Sequence, residues 1–171
     1  LPVTGSLSIS LAGHGTKTGL SVINTPAHQV ILNGVEIDAS QGFAIKVSQW
    51  LDSVLPPDLK LRIDTLNTVP TAAGLASSAS GFAALTLATN TLMGWKLPEH
   101  QLSALARLGS GSASRSLWHG FAKWQAGELA NGSDSIAFPL QQQWPQLRIG
   151  LLTVSSQTKA VSSREGMART I

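Results

Sequence analysis

Cysteine is absent from this sequence of 171 residues, which excludes a disulfide scaffold and metal sites built on thiolates. The absence fits a reducing compartment, so we expect a cytoplasmic location. Long apolar runs are also absent: none reaches about 18 residues, so no membrane-spanning helix is predicted. The chain opens with L-P-V-T-G, which lacks the basic and apolar segments of a signal peptide.

Charge is scarce as well, since only 12% of the residues are charged and the formal net charge is +3. Lys and Arg are scattered without a basic run, so we do not expect a nucleic acid partner. The four histidines lie far apart without the spacing of metal ligands, so no metal-binding residue is predicted. No G-x-x-x-x-G-K-[ST] motif is present, which excludes a Walker-type phosphate loop.

The chain does contain enough apolar sequence, 43% of its residues, to fill the core of one domain. Alternating and apolar runs predict strands over residues 7–11, 20–23, 29–32, 35–37, 59–66, 121–125, 134–140 and 147–154. Helical spacing predicts helices over residues 38–54, 76–92 and 99–108, the last stopped by Gly109. The first forty residues indicate a β-meander with a hairpin at Asn33-Gly34, and residues 147–154 indicate a buried strand. This order predicts an α+β domain with helices on one side of a mixed sheet.

The segment from Asn67 to Leu85 is rich in very small residues and follows the strand predicted over residues 59–66. Small residues let backbone N–H groups approach a ligand, and the start of the following helix adds unpaired N–H donors and a partial positive charge. These features predict a phosphate site, with the hydroxyls of Ser77 and Ser78 at its rim to bind phosphate oxygens or a Mg²⁺ shell. An alanine-rich helix with a serine cap, packed closely for structural reasons alone, has the same composition.

A second turn of small residues, G-S-G-S-A-S-R-S, runs from Gly109 to Ser116 and opens a short helix. Ser110 and Ser112 offer hydroxyls, and Arg115 offers a planar fork for a carboxylate or phosphate. The turn keeps only the first G-x-G of a dinucleotide motif and does not follow a strand, which argues against NAD. The structural alternative is a linker turn with a surface arginine.

Four segments, in order along the chain, resemble one known family. P-T-A-A-G-L-A-S-S-A-S at residues 70–80 resembles the phosphate loop of the GHMP kinase superfamily, and its A-A-G-L-A-S-S form resembles that of diphosphomevalonate decarboxylases. Three further segments are similar to the same family: L-P-V-T-G-S-L-S-I-S-L at 1–11, G-S-G-S-A-S-R-S at 109–116 and V-S-S-R-E-G-M at 161–167. The resemblance spans the whole chain but only about half of the family's length.

The resemblance implies a ribosomal protein S5 domain 2-like fold, the GHMP kinase N-terminal domain, over residues 1–155 with its first strand missing. Residues 156–171 would be a loop and the start of a truncated C-terminal domain, with a helix over residues 164–171. The implied reaction is the ATP- and Mg²⁺-dependent decarboxylation of (R)-5-diphosphomevalonate to isopentenyl diphosphate. The implied partners are this small-molecule substrate and, in the full-length protein, a second copy in a homodimer.

The resemblance also assigns roles to individual residues. The ATP phosphates would be cradled by Ala73, Gly74, Leu75, Ala76, Ser77 and Ser78. Arg115 would be the catalytic residue that holds the substrate carboxylate, and Ser110 and Ser112 would bind the mevalonyl portion. Ser163 and Arg164 would bind the substrate diphosphate.

Two departures from the family pattern bear on activity. Ser114 stands where the family often has cysteine, and we expect little effect because that cysteine is not the nucleophile. The family's catalytic Asp lies in its C-terminal half, and its active-site Lys and Tyr lie before Leu1. We therefore expect that the 171 residues alone do not decarboxylate the substrate.

Three alternatives remain open from the sequence. A relative acting on mevalonate or a mevalonate phosphate would differ mainly around Ser163 and Arg164. A non-catalytic nucleotide-binding module would bind nucleotide but no mevalonyl diphosphate. A Ser–Lys hydrolase is suggested only by the S-x-x-K spacing of Ser156 and Lys159, a pattern that is common by chance.

Overall fold

The computed structural model describes residues 2–68, 77–150 and 152. Within them the chain forms strands β1 Ser6–Ile9, β2 Thr16–Ile23, β3 Gln29–Leu32, β4 Val35–Ile37, β5 Lys60–Asn67, β6 Phe121–Trp124 and β7 Ala137–Pro139. The α-helices are α1 Gly42–Val54, α2 Ser77–Leu92 and α3 Glu99–Gly109, and a short 3₁₀ helix, Gly111–Arg115, follows α3. The predicted helix over 164–171 and the S-x-x-K segment lie outside the described residues. Among the described helices, none has the length and apolarity needed to span a bilayer.

The strands form two sheets. One has four strands in the order β2-β5-β3-β4, with β5 antiparallel to β2 and parallel to β3. The other has three antiparallel strands in the order β1-β6-β7. The α+β class is therefore as predicted, but the described strands divide between a mixed sheet and an antiparallel one.

The predicted β-meander is wrong apart from its last hairpin. β3 and β4 do pair across the Asn33-Gly34 turn, where Asn33 has φ 52° and Gly34 has φ 82°. β5, however, lies between β2 and β3, and β1 pairs with β6 from the other end of the chain. In this central position the backbone N–H and C=O groups on both edges of β5 are paired, a long-range arrangement that local patterns do not express.

The helices cover one face of the four-stranded sheet, as predicted. Along β5, Leu61, Ile63 and Thr65 are buried, while Arg62 and Asp64 are exposed on the opposite face and pair with each other at 2.8 Å. The buried face packs against a core from α1, α2 and α3 that includes Val47, Trp50, Leu51, Phe82, Leu85 and Ala106. Removing this apolar surface from water is the main source of the fold's stability.

The contact between α2 and α3 depends on one glycine. A Cβ on Gly109 would overlap the ring of Phe82, so only a residue without a side chain fits there. Phe82 in turn packs edge-on against Trp50 of α1, with ring centroids 6.3 Å apart. The Trp50 indole N–H donates to the Leu105 carbonyl of α3 at 3.1 Å. Gly109 ends the helix as predicted, and its second role is to let the two helices approach.

His28 is a buried polar residue beside the mixed sheet, its side chain only 2% exposed. Its Nδ1 accepts the Leu61 backbone N–H at 3.0 Å, and its Nε2 lies 3.3 Å from a carboxylate oxygen of Asp52. Burial lowers the pKa of His28, and the neighbouring Asp52 carboxylate offsets only part of this. The hydrogen bond from Lys60 lowers the pKa of Asp52. His28 is therefore a neutral acceptor at the start of β5.

The predicted buried strand over residues 147–154 is wrong for the part that the structure describes. Residues 147–150 carry no strand, Ile149 is 46% exposed and Leu152 is 89% exposed. Residues 147–150 pair with none of the described strands. An apolar run forms a buried strand only where a partner strand supplies hydrogen bonds.

Candidate functional site

The first turn of α2 and the G-S-G-S turn after α3 meet in the structure. The Ser78 hydroxyl lies 3.4 Å from the Ser110 hydroxyl, which in turn lies 3.5 Å from that of Ser112. Three of the residues selected from two separate sequence motifs thus form one row of hydroxyls. The row runs from the start of a 16-residue helix, where unpaired N–H groups favour an anion, to the 3₁₀ helix that carries Arg115.

Neighbouring hydroxyls hold the first turn of α2 in place. The Thr16 hydroxyl of β2 donates to Ser80 Oγ at 2.8 Å, and Ser80 Oγ donates to the Ser77 carbonyl at 3.2 Å. Just beyond β5, the Thr68 N–H donates to the Gly15 carbonyl at 2.9 Å, and the Gly15 N–H donates to Thr68 Oγ1 at 2.9 Å. The described residues on either side of positions 69–76 are thereby attached to the start of β2.

Arg115 lies at the end of the 3₁₀ helix and contacts the antiparallel sheet. Its Nη1 donates to Ser6 Oγ of β1 at 2.8 Å. Its guanidinium carbon lies 5.4 Å from the centroid of the Trp124 ring, a cation–π distance. The residue is half-buried, so the guanidinium is held against the protein while it remains open to a ligand.

The 3₁₀ helix is fixed by buried serines. Ser114 is fully buried and donates to the Gly111 carbonyl at 2.8 Å, so serine at this position is satisfied within its own turn. Ser103 of α3, also fully buried, donates to the Ser114 carbonyl at 3.2 Å and accepts the Ala137 N–H of β7 at 2.7 Å. These bonds join α3, the 3₁₀ helix and β7 around the position of Arg115.

A cavity of about 1130 Å³ lies between β1, β2, α2 and the 3₁₀ helix. Its polar side presents the hydroxyls of Ser80 and Ser112 and the cations of Lys17 and Arg115, and its α2 side includes Ala84 and Leu87. Among the described residues that line it, none is a carboxylate. The cavity is therefore suited to a polyanion with a small apolar body.

Several predicted site residues cannot be placed in this cavity. Ala73, Gly74, Leu75 and Ala76, together with Ser163 and Arg164, lie outside the described residues. Their assigned contacts with ATP phosphates and with the substrate diphosphate stay predictions. Among the described residues there is no group of three His, Cys, Asp or Glu side chains that could hold a metal ion.

The structure also places residues at the site that the sequence did not indicate. Ser6, Thr16 and Lys17 belong to β1 and β2 but precede the strands predicted over residues 7–11 and 20–23, and Trp124 was predicted only as a strand residue. The pairing of Ser6 with Trp124 joins positions more than a hundred residues apart. This pairing could be predicted from the sequence only if β1 and β6 were already known to be neighbours.

The sequence profile of the diphosphomevalonate decarboxylase-like N-terminal domain matches residues 1–137, most of the chain. The chain belongs to the diphosphomevalonate decarboxylase-like family. Diphosphomevalonate decarboxylase mvd1 of Aspergillus fumigatus is 41% identical over 192 aligned positions, and the human diphosphomevalonate decarboxylase is 38% identical over 190. Each alignment covers 100% of this chain and 47% of the relative. The chain thus spans about half the length of these members of the family.

Solved structures of the family confirm the predicted fold. Mevalonate diphosphate decarboxylase from Staphylococcus aureus superposes with a TM-score of 0.73 at 39% identity, covering 82% of this chain and 42% of the other. Mevalonate pyrophosphate decarboxylase from Streptococcus pyogenes superposes with a TM-score of 0.74 at 29% identity, covering 96% of this chain and 50% of the other. The α+β fold of the GHMP kinase type, predicted from the motifs, is therefore that of the decarboxylase family.

Proposed function

We propose that this chain is the ATP- and substrate-binding part of an enzyme that decarboxylates (R)-5-diphosphomevalonate to isopentenyl diphosphate, with release of ADP, phosphate and CO₂. The observation that carries the proposal is the convergence of two motifs on one cation-lined cavity. The hydroxyls of Ser78, in the first turn of α2, and Ser110, in the G-S-G-S turn, lie 3.4 Å apart. Ser112 and Arg115 line that cavity. The expected cytoplasmic location stays a prediction.

The proposed chemistry needs the two anionic ligands side by side. The tertiary 3-hydroxyl of the substrate is a poor leaving group until ATP phosphorylates it, after which phosphate departs and CO₂ is lost from the adjacent carboxylate. Arg115 would fix that carboxylate through charge-assisted hydrogen bonds, and Ser110 and Ser112 would bind the mevalonyl hydroxyl region. Phosphoryl transfer depends chiefly on position and charge neutralisation, which hydroxyls, helix N–H groups and cations supply.

ATP and Mg²⁺ are the proposed cofactors. A similar structure concerns ATP binding mediated by mevalonate diphosphate in the Enterococcus faecalis decarboxylase, at 39% identity and a TM-score of 0.72. Another is a complex with MVAPP, AMPPCP and magnesium, at 38% identity. Mg²⁺ commonly binds substrate phosphates, keeps several waters and needs no cage of protein carboxylates. The hydroxyls of Ser77 and Ser78 would therefore bind the waters around the ion. When bound, the ion would neutralise charge on the phosphates.

Ligand binding to the full-length protein tests the substrate class. Calorimetric titration with (R)-5-diphosphomevalonate, with and without a non-hydrolysable ATP analogue, is expected to give saturable binding of the diphosphate. Titration with the monophosphate and with mevalonate should give weaker binding. A protein that bound nucleotide alone would instead be the non-catalytic module, and one that preferred the monophosphate would be the related enzyme.

Replacement of the proposed carboxylate-binding residue tests the site. Arg115→Ala is expected to lower kcat/KM for decarboxylation about 30- to 5,000-fold, since losing one member of a buried charge pair costs about 2–5 kcal/mol. Arg148→Ala is the matched control, because Arg148 is exposed and its bonds within the described part of the chain go to the nearby carbonyls of Pro145 and Leu147. Equal activity of the two variants would overturn the assignment of Arg115.

A further inference from the structure

Ser6 and Trp124 both contact the Arg115 guanidinium, and they face each other across one strand pair. They are register partners in the antiparallel ladder of β1 and β6. Ser6 Oγ accepts a hydrogen bond from Arg115 Nη1 at 2.8 Å, while the Trp124 ring lies beneath the guanidinium carbon at 5.4 Å. One cross-strand pair thus provides both an acceptor for an edge of the guanidinium and an aromatic surface near its centre.

Trp124 is itself held in one orientation. Its indole N–H donates to Ser135 Oγ at 3.2 Å, and the fully buried Ser135 donates onward to the Gln125 carbonyl at 3.3 Å. On the other side, a Cβ on Gly111 would lie 3.5 Å from the indole, so the ring packs directly under the G-S-G-S turn. An indole fixed at its N–H and packed against the turn gives a rigid surface.

The loop behind Ser135 is braced as well. The Asp134 carboxylate accepts the N–H groups of Glu128 and Leu129, at 2.7 Å for the shorter bond, and these bonds lower the pKa of Asp134. Gly127, with φ +82°, approaches Asp134 and Ser135 so closely that a Cβ would lie 2.9 Å from the Ser135 nitrogen. The support for Arg115 therefore extends through Trp124 to Ser135 and its loop.

We propose that Trp124 and Ser6 are positioning residues that hold Arg115 ready for the substrate carboxylate. An arginine side chain has several rotatable bonds, and ordering them during binding would reduce affinity. The indole face attracts the cation and the Ser6 hydroxyl fixes one nitrogen, so the guanidinium is ordered before the ligand arrives. This inference rests on the proposed function for the identity of the ligand, but the pre-ordering of Arg115 can be measured without it.

Substitution at position 124 in the full-length protein tests the role of the aromatic face. Trp124→Leu is expected to weaken (R)-5-diphosphomevalonate binding about 3- to 10-fold in the presence of an ATP analogue, because it removes the cation–π contact. Trp124→Phe keeps an aromatic face and should retain affinity to within about threefold. Affinity for the ATP analogue alone should not change. Trp144→Leu is the control, since Trp144 is 60% exposed and lies in a loop. Equal losses for Leu and Phe at position 124 would contradict the proposal.

A double-mutant cycle separates positioning from general damage to the fold. In an Arg115→Ala background, Trp124→Leu should cause no further loss of substrate affinity, because there is no guanidinium left to orient. Ser6→Ala should behave in the same way with a smaller effect. Additive losses would mean that Trp124 acts through the stability of the sheet, which would overturn the inference.

A ligand-free measurement keeps this test independent of the proposed reaction. The Nε–Hε resonance of Arg115, identified by its disappearance in Arg115→Ala, should carry a ring-current shift from Trp124. Trp124→Leu should abolish that shift and Trp124→Phe should keep part of it. If the wild-type protein does not bind (R)-5-diphosphomevalonate, the proposed function fails while this result still decides the pre-ordering. An unshifted resonance in the wild type would refute it.

Discussion

Two halves of this domain are stabilised by different kinds of interaction. The apolar half consists of the four-stranded sheet with α1, and its fully buried side chains include Val30, Leu51, Leu61 and Ile63. The serine half consists of β1, β6 and β7 with α3 and the 3₁₀ helix. It contributes Ala106 and Ala113 to the shared apolar core, but its fully buried side chains also include Ser103, Ser114 and Ser135. The proposed catalytic arginine belongs to the serine half.

The difference follows from what each half has to do. Apolar burial is strong but non-directional, so it holds elements together without fixing a single side-chain orientation. Hydrogen bonds contribute less net stability, but their geometry is strict, and buried donors and acceptors are costly to leave unpaired. The apolar half therefore supplies stability, and the serine half positions the 3₁₀ helix and Arg115.

The largest expected effect is a core truncation in the apolar half. Leu61→Ala should lower the free energy of unfolding by about 2–5 kcal/mol, since it leaves a cavity beneath the helices. Leu66→Ala on the same strand is the control, because Leu66 is 52% exposed. Urea denaturation of the full-length protein, followed by tryptophan fluorescence, compares the two. Similar losses for both would mean that the apolar half does not carry the stability assigned to it.

A smaller effect is expected from one hydroxyl in the serine half. Ser103→Ala should lower the free energy of unfolding by about 1–3 kcal/mol, because the Ala137 N–H and the Ser114 carbonyl lose their buried partner. It should also lower kcat/KM, because the 3₁₀ helix loses an anchor. Ser53→Ala, which removes an exposed hydroxyl bonded within α1, should change neither quantity measurably. If Ser103→Ala reduced stability but left kcat/KM unchanged, the buried serines would stabilise the fold without positioning Arg115.

The smallest expected effect is the response of the apolar half to pH. His28 has a lowered pKa when folded, so below its unfolded value of 6.5 the unfolded state binds the extra proton more readily. Stability should therefore fall as the pH decreases from 7.5 to 5.5, by less than about 1.4 kcal/mol per pH unit for one proton. The lowered pKa of Asp52 acts at lower pH, where stability is lost as that carboxylate becomes protonated.

Urea denaturation at several pH values, repeated with His28→Gln, measures this contribution. The variant is expected to be less stable at neutral pH and to show a shallower pH dependence in this window. An unchanged slope would assign the pH dependence to other groups.

Local patterns in the sequence predicted much of the apolar half. The alternation of Leu61 and Ile63 with Arg62 and Asp64 gave the strand and its buried face, and Asn33-Gly34 gave the hairpin. The place of β5 between β2 and β3 was not predictable from such patterns, because sheet order depends on contacts between distant segments.

The serine half was less accessible from the sequence. Its motif residues Ser110, Ser112 and Arg115 could be recognised in the sequence as small or charged residues in a turn. The residues that hold them in place could not. Ser135 has no neighbours that distinguish it from a loop serine, and Trp124 had the pattern of a strand residue. Their role depends on which strands and loops lie side by side, so it emerges only from the tertiary structure.

The bare backbone of Gly109 has a consequence for how this scaffold tolerates change. The residue has no proposed role in ligand binding, yet it sets the distance between α2, whose first turn carries Ser78, and α3, which leads into the G-S-G-S turn. Any larger residue would move the two helices apart and widen the gap between the nucleotide side and the carboxylate side of the cavity. Position 109 thus acts as a spacer, and mutational scanning of the site should find it as intolerant as Arg115.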